Sequence, residues 1–334
     1  MKIPLRLLAG AVLLSAGAAH AAEPPAVIAS FKPLHSLVAG VMQGVAEPEL
    51  LIDTNASPHT YTMKPSNAAL MEKADVVFWI GPDFERFLEK PLHALASGAK
   101  SVELSEAPGV SLLDLREGGT FEKHVHDAEE GEHHDHAGES HDHDHGEEAG
   151  HDDNDDHDHA HGGKDMHLWL DPENARAMTR EIVRTLAEAD PANAAAYERN
   201  GTELDERLAA LDKELAETLA PVRDKPFVVF HDAFQYMEHH YDLTVAGSIT
   251  VNPELMPGAA RIRDIREKIV ALGATCVFSE PSFEPKIVTT LVEGTPAKAG
   301  ELNPEGGALP AGPELYFDLM RQNAAVLTEC LGGE

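Results

Sequence analysis

Between about Phe121 and Asp165 the chain offers almost nothing that a core could bury. The stretch holds His124, His126, His133, His134, His136, His141, His143, His145, His151, His157, His159 and His161, which are 12 of the 20 histidines, interleaved with Asp and Glu. Folding needs apolar burial to offset the entropy of ordering the chain. This stretch is therefore predicted to be a disordered insert, and any core has to be built from its two flanks. Neutral imidazole is the commonest metal ligand and suits Zn, Cu and Ni better than Mg or Ca. An acidic insert with His-Asp-His alternation reads as a collector of borderline transition metals, and solvation alone is a poor explanation of that pattern.

The first residues point to export. Lys2 and Arg6 precede a mostly apolar run from Leu5 to Ala19, and Ala19-His20-Ala21 fits a small-x-small cleavage site. Residues 1–21 are read as a signal peptide, which marks the chain for export. The run is short for a membrane span, and no later stretch is long and apolar enough for one. No stable insertion in a membrane is expected. About 310 residues then remain, enough for two domains.

The net charge is −32. Residues 121–165 contain 17 Asp and Glu against Lys123 and Lys164, a local balance of −15, so about half of the excess sits in the insert. Phosphate binding needs a basic surface, which argues against a nucleic-acid partner. A cation suits this chain better.

Cys276 and Cys330 are the two cysteines. An even count in an exported chain favours a disulfide. Cys276 lies in an apolar run that reads as a buried strand, and Cys330 closes an amphipathic terminal helix, so a bridge would tie that helix to its sheet. Two buried free thiols are the alternative. A two-cysteine zinc site is a weaker one, because no ligand stands at suitable spacing nearby.

The flanks alternate short apolar runs with helical patterns. Ala26–Phe31, Glu49–Ile52 and Ala74–Ile80 read as strands, with helices from Pro33 to Gln43 and Pro65 to Lys73 between them. After the insert, Asp171-Pro172 opens a helix running to Ala189. Asp190-Pro191 opens another, free of internal proline, to about Ala220, and Leu204, Leu208, Leu211, Leu215 and Leu219 form one apolar stripe along it. Strands follow at Pro226–Phe230, Thr244–Ile249 and Ala274–Phe278, with helices from Pro257, Pro285 and Pro313. The pattern predicts an α/β fold of two lobes, each a parallel sheet flanked by helices, bridged by one long rigid helix, with a ligand site in the inter-lobe cleft. The predicted boundaries are 22–190 for the first lobe, carrying the insert at 121–165, then 191–221 for the linker helix and 222–334 for the second lobe.

Three histidines stand where strands end: His59 in Ser57-Pro-His-Thr-Tyr61, His167 at the head of His-Leu-Trp-Leu-Asp-Pro172, and His231 after Phe227–Phe230. Strand ends beside a cleft are where ligands to an ion would converge. His35, early in the first helix, is a weaker candidate. His93, His239 and His240 have ordinary helical explanations.

Ser57-Pro-His-Thr-Tyr-Thr-Met-Lys-Pro65, His167-Leu-Trp-Leu-Asp-Pro172 and His231-Asp-Ala-Phe234 together resemble motifs of the metal-binding solute-binding protein family of ABC importers. The His-rich insert placed before the second motif is similar to the zinc-specific ZnuA type. The resemblance covers essentially the whole chain after the signal peptide. It implies a periplasmic protein, a monomer, that captures Zn²⁺ between two lobes and delivers it to an ABC transporter permease, with no enzyme activity. It implies that His59, His167 and His231 are zinc ligands and that Cys276 pairs with Cys330. The chain departs from the family at the fourth ligand. Pro58 stands where many members have a carboxylate, and Asn303-Pro-Glu-Gly306 stands where many have Asp-Pro-x-Gly. Water, Asn303 or a carboxylate from the insert is left to complete the tetrahedron. Three imidazoles with little carboxylate favour Zn over Mn. On this reading protons compete with zinc at all three imidazoles together.

Two rivals remain open. A zinc enzyme is one, because three His plus water also makes a catalytic set, although the chain has no H-E-x-x-H and no G-x-S-x-G. A standalone periplasmic zinc buffer or chaperone is the other.

Overall fold

The computed structural model describes residues 23–54, 56–116, 163–250, 258–282 and 286–333. Residues 1–21, read above as a signal peptide, and the twelve insert histidines lie outside the described residues.

Two four-stranded parallel sheets carry the fold. The first takes β1 (Val27–Ala29), β2 (Glu49–Leu50), β3 (Val76–Trp79) and β4 (Lys100–Glu103) in the order β2-β1-β3-β4. The second takes β5 (Phe227–His231), β6 (Val245–Thr250), β7 (Cys276–Ser279) and β8 (Lys298–Glu301) in the order β6-β5-β7-β8. The two orders are the same. In each sheet the first strand lies between the next two, so the chain leaves it toward both sides, and the crevice beyond its carboxyl end is where such sheets bind ligands. Strands β1, β3, β5 and β7 are buried on both faces, which is why they read as continuous apolar runs.

Helices α1 (Lys32–Met42), α2 (Pro65–Met71), α3 (Arg86–Leu95) and α4 (Pro172–Ala189) belong to the first half; α6 (Gln235–Tyr241), α7 (Ala259–Ala271), α8 (Lys286–Val292) and α9 (Leu315–Gly332) to the second. The Asp171 side chain caps α4 by accepting the Glu173 N–H at 2.8 Å, as the Asp-Pro pair predicts. Between the halves runs α5 (Ala194–Leu219), about 39 Å long at 1.5 Å per residue. It begins later than Asp190-Pro191 suggests, because Pro191, Ala192 and Asn193 form a turn first. Its five stripe leucines are all buried. Gly201, which looks like a weak point in a long helix, lies where α5 meets α4. A Cβ there would stand 2.2 Å from Val183 Cγ2, so only glycine permits the approach.

Strands β4 and β8 go unmarked in the sequence reading. Both are edge strands of mostly exposed, polar residues. They are held by backbone pairing to β3 and β7, which leaves no apolar signature. Cys276 and Cys330 form a disulfide that joins β7 to α9. Among the described residues, no helix is long and apolar enough to cross a membrane.

Candidate metal centre

His231 is the last residue of β5, at the carboxyl end of the central strand of its sheet. His59 lies on the loop between β2 and α2, and His167 immediately precedes a single 3₁₀ turn at Leu168–Leu170 that leads into α4. His167 is thus set by a tight turn and not by a strand end. The three side chains, 108 and 64 residues apart along the chain, converge on one point.

His167 Nε2 stands 3.2 Å from His59 Nε2 and 3.2 Å from His231 Nε2. Two nitrogens each about 2.05 Å from a tetrahedral zinc would be about 3.3 Å apart. The spacing is therefore that of a zinc shell. Among the described residues these three form the one group of His, Cys, Asp and Glu with ligand atoms close enough to hold an ion.

The far side of two rings explains their aim. His167 Nδ1–H donates to Asp165 Oδ1 at 2.7 Å, and the same oxygen accepts the His167 backbone N–H at 2.9 Å. His231 Nδ1–H donates to Glu280 Oε1 at 2.6 Å, and that oxygen also accepts the His231 N–H at 3.2 Å. Each carboxylate claims the Nδ1 proton and leaves a lone pair on Nε2, the arrangement that orients and strengthens an imidazole ligand. Two such lone pairs facing each other repel, and a cation between them relieves that.

Phe84 and Trp169 wall the site. Phe84 packs edge-on to His59 and His167, with ring centres 4.9 and 5.7 Å apart, and Trp169 lies 5.4 Å from His167. This apolar surround lowers the proton affinities of His59 and His167 well below the ordinary imidazole value, burial first and the neighbouring imidazoles second. At His231 burial acts in the same direction, but the Glu280 carboxylate outweighs it and the net shift is upward.

Asn303 is placed differently from its expected role. Its Oδ1 accepts the backbone N–H groups of Glu305, Gly306 and Gly307 at 3.3, 2.8 and 3.3 Å. That oxygen builds a turn, completed by Gly306 at φ 71°. A buried carboxylate in the same turn, Glu305, is coupled electrostatically to His231 without joining the three-histidine group, and sequence reasoning passed over it. The Ser57 hydroxyl donates to Glu305 Oε1 at 2.8 Å, two residues from His59, and the Trp169 indole N–H donates to the Pro304 carbonyl at 2.8 Å. Burial pushes the Glu305 carboxyl up to about 8. The available clue was the turn chemistry: once Asn303 is spent on backbone amides, Glu305 is the acid left in its loop.

Two of the remaining histidines have other partners. His35 is buried with Nε2 3.0 Å from the Pro48 carbonyl. His240 joins α6 to the other half by pairing with Asp171 and Asp212.

Residues 27–330 match the ZnuA family, described as zinc-uptake complex component A, periplasmic. The high-affinity zinc uptake system protein ZnuA of Brucella abortus (strain 2308) is 50% identical over 315 residues, covering 94% of this chain and 94% of its own length. The protein of the same name from Yersinia pestis is 36% identical over 306 residues, covering 92% and 91%. Among solved structures, the laminin-binding protein (Lmb) of Streptococcus agalactiae superposes with a TM-score of 0.70 at 20% identity, covering 92% of this chain and 100% of its own, a likeness of fold.

Proposed function

The chain belongs to the ZnuA family, and from that premise we propose that it captures Zn²⁺ in the periplasm and hands it to the permease of an ABC importer. Residues 1–21 act as its export signal. His59, His167 and His231 are the ligands, with Glu305 as the fourth donor. The site carries cargo and performs no reaction, and the chain works as a monomer. The observation that supports this most is the pair of 3.2 Å Nε2 separations about His167, with the opposite nitrogens of His167 and His231 held by carboxylates.

Capture has a pH signature that differs from simple competition at three imidazoles. His59 and His167, with lowered proton affinity, are already neutral at ordinary pH and have no proton to lose. His231, shifted upward, and Glu305, near 8, are the groups that hold protons in the empty site. A raised value means that protons compete with zinc below it, so affinity falls as the pH drops. Between about pH 8 and 6, zinc binding should release about one to two protons per ion. Zinc titration in competition with a chelator, at several pH values, reads that slope. A slope of three would restore equal competition at all imidazoles. A slope of zero would mean that neither His231 nor Glu305 gives up a proton to zinc, and would remove both from the ligand set.

A further inference from the structure

The His-rich stretch leaves and re-enters the described fold through a short stem that is built onto the metal centre. Leu113–Arg116 and Gly163–Asp165 run antiparallel there. The Leu115 N–H donates to the Gly163 carbonyl, the Asp165 N–H donates to the Leu113 carbonyl at 2.9 Å, and Asp114 bridges Lys164. One limb of the stem ends in Asp165, whose carboxylate holds His167. The other ends in Arg116. The Arg116 Nε–H donates to Asp232 Oδ2 at 3.0 Å and its Nη2–H to Asp232 Oδ1, while its Nη1–H donates to Glu238 Oε2. Asp232 is the chain neighbour of His231, and Glu238 lies on α6, where its other oxygen accepts the Val245 N–H that starts β6. Between the limbs, the Tyr236 hydroxyl accepts the Leu113 N–H at 3.1 Å and donates to the Asp165 carbonyl at 2.6 Å.

We propose that Arg116 is a positioning residue for zinc retention: its fork on Asp232 and its arm to Glu238 clasp the stem to the second half and set how fast bound zinc leaves. The inference rests on His59, His167 and His231 being the ligands. A guanidinium fork fixes both distance and plane of its carboxylate, which a point charge does not. Asp232 and Glu238 are largely buried, with side-chain exposures of 7 and 20%, so losing the fork leaves two carboxylates poorly solvated and free to shift His231 and α6. Opening the clasp acts on departure of the ion more than on its arrival, as for other partly buried charge pairs. Charge alone predicts the opposite sign, because removing a cation beside the site would hold zinc more tightly.

The full chain carrying Arg116→Gln, Arg116→Lys or Glu238→Gln, loaded with one equivalent of zinc, is chased with excess chelator and the release rate is followed, alongside the melting temperature of each zinc-free protein. Arg116→Gln should release zinc about tenfold faster with little change in the association rate. Arg116→Lys should recover only part of the loss, and Glu238→Gln, which keeps the fork, should show a smaller acceleration. If Arg116→Gln does not fold, Glu238→Gln carries the test: faster release supports the clasp and an unchanged rate overturns it. Release from Arg116→Gln at the wild-type rate or slower, or full recovery by Arg116→Lys, would overturn it too. A wild-type chain with no tight zinc would remove the ligand assignment itself, and the clasp with it.

Discussion

Replacing His167 with alanine is expected to weaken zinc binding at the cleft by at least about a hundredfold. His167 is the central member of the proposed ligand set: its Nε2 faces both other imidazoles at 3.2 Å. A four-ligand zinc site is worth about 10 kcal/mol or more, so one ligand accounts for roughly 2.5 kcal/mol, which is close to two orders of magnitude. The substitution also strips Asp165 of its ring partner. The carboxylate keeps other anchors in the turn, since its Oδ1 accepts the residue-167 backbone N–H. The zinc-free fold should therefore persist, and circular dichroism separates loss of ligand from loss of structure. Competition with a chelator of known affinity measures the effect. An affinity within about threefold of wild type, in a folded variant, would take His167 out of the ligand set.

The second large effect concerns the disulfide. Replacing Cys276 and Cys330 together with alanine should cost about 4 kcal/mol, the chain-entropy value for a loop closed across 54 residues. The bond joins β7 to α9. Cys276 is fully buried between core side chains, so alanine avoids planting a hydroxyl there. The melting temperature should fall by about 10 °C. Zinc affinity should change little, because neither cysteine lies at the site. An unchanged melting temperature under oxidising conditions would mean that α9 is held by packing alone.

Much of this fold is legible because its central strands are buried on both faces and its helices open with Asp-Pro or Pro signals. The stripe of Leu204, Leu208, Leu211, Leu215 and Leu219 names the bridging helix directly. What stays hidden is set by contacts between distant segments. β4 and β8 carry no apolar pattern because backbone pairing to β3 and β7 places them, and of their residues only Val102 joins the core. Gly201 reads as a flaw until Val183 is seen against it. At the site, the three imidazoles were readable from their motifs. The groups that aim them were not: Glu280 lies 49 residues from His231 and the Arg116 fork spans 116 residues to Asp232. Asn303 is a candidate only through the resemblance of Asn303-Pro-Glu-Gly306 to an Asp-Pro-x-Gly stretch, and local turn chemistry takes its oxygen instead. Glu305 becomes visible only when the fold brings Ser57 beside it.

Zinc-edge X-ray absorption on the chain lacking residues 124–162, loaded with one equivalent of zinc, tests the central claim most directly. The deletion removes all twelve insert imidazoles and spares the stem at Gly163 and Lys164. The account predicts a four-coordinate ion with three imidazole nitrogens at about 2.0–2.1 Å and one oxygen, the latter lost or lengthened in Glu305→Gln. A shell with fewer than three imidazoles, or no tightly bound zinc once the insert is gone, would contradict it.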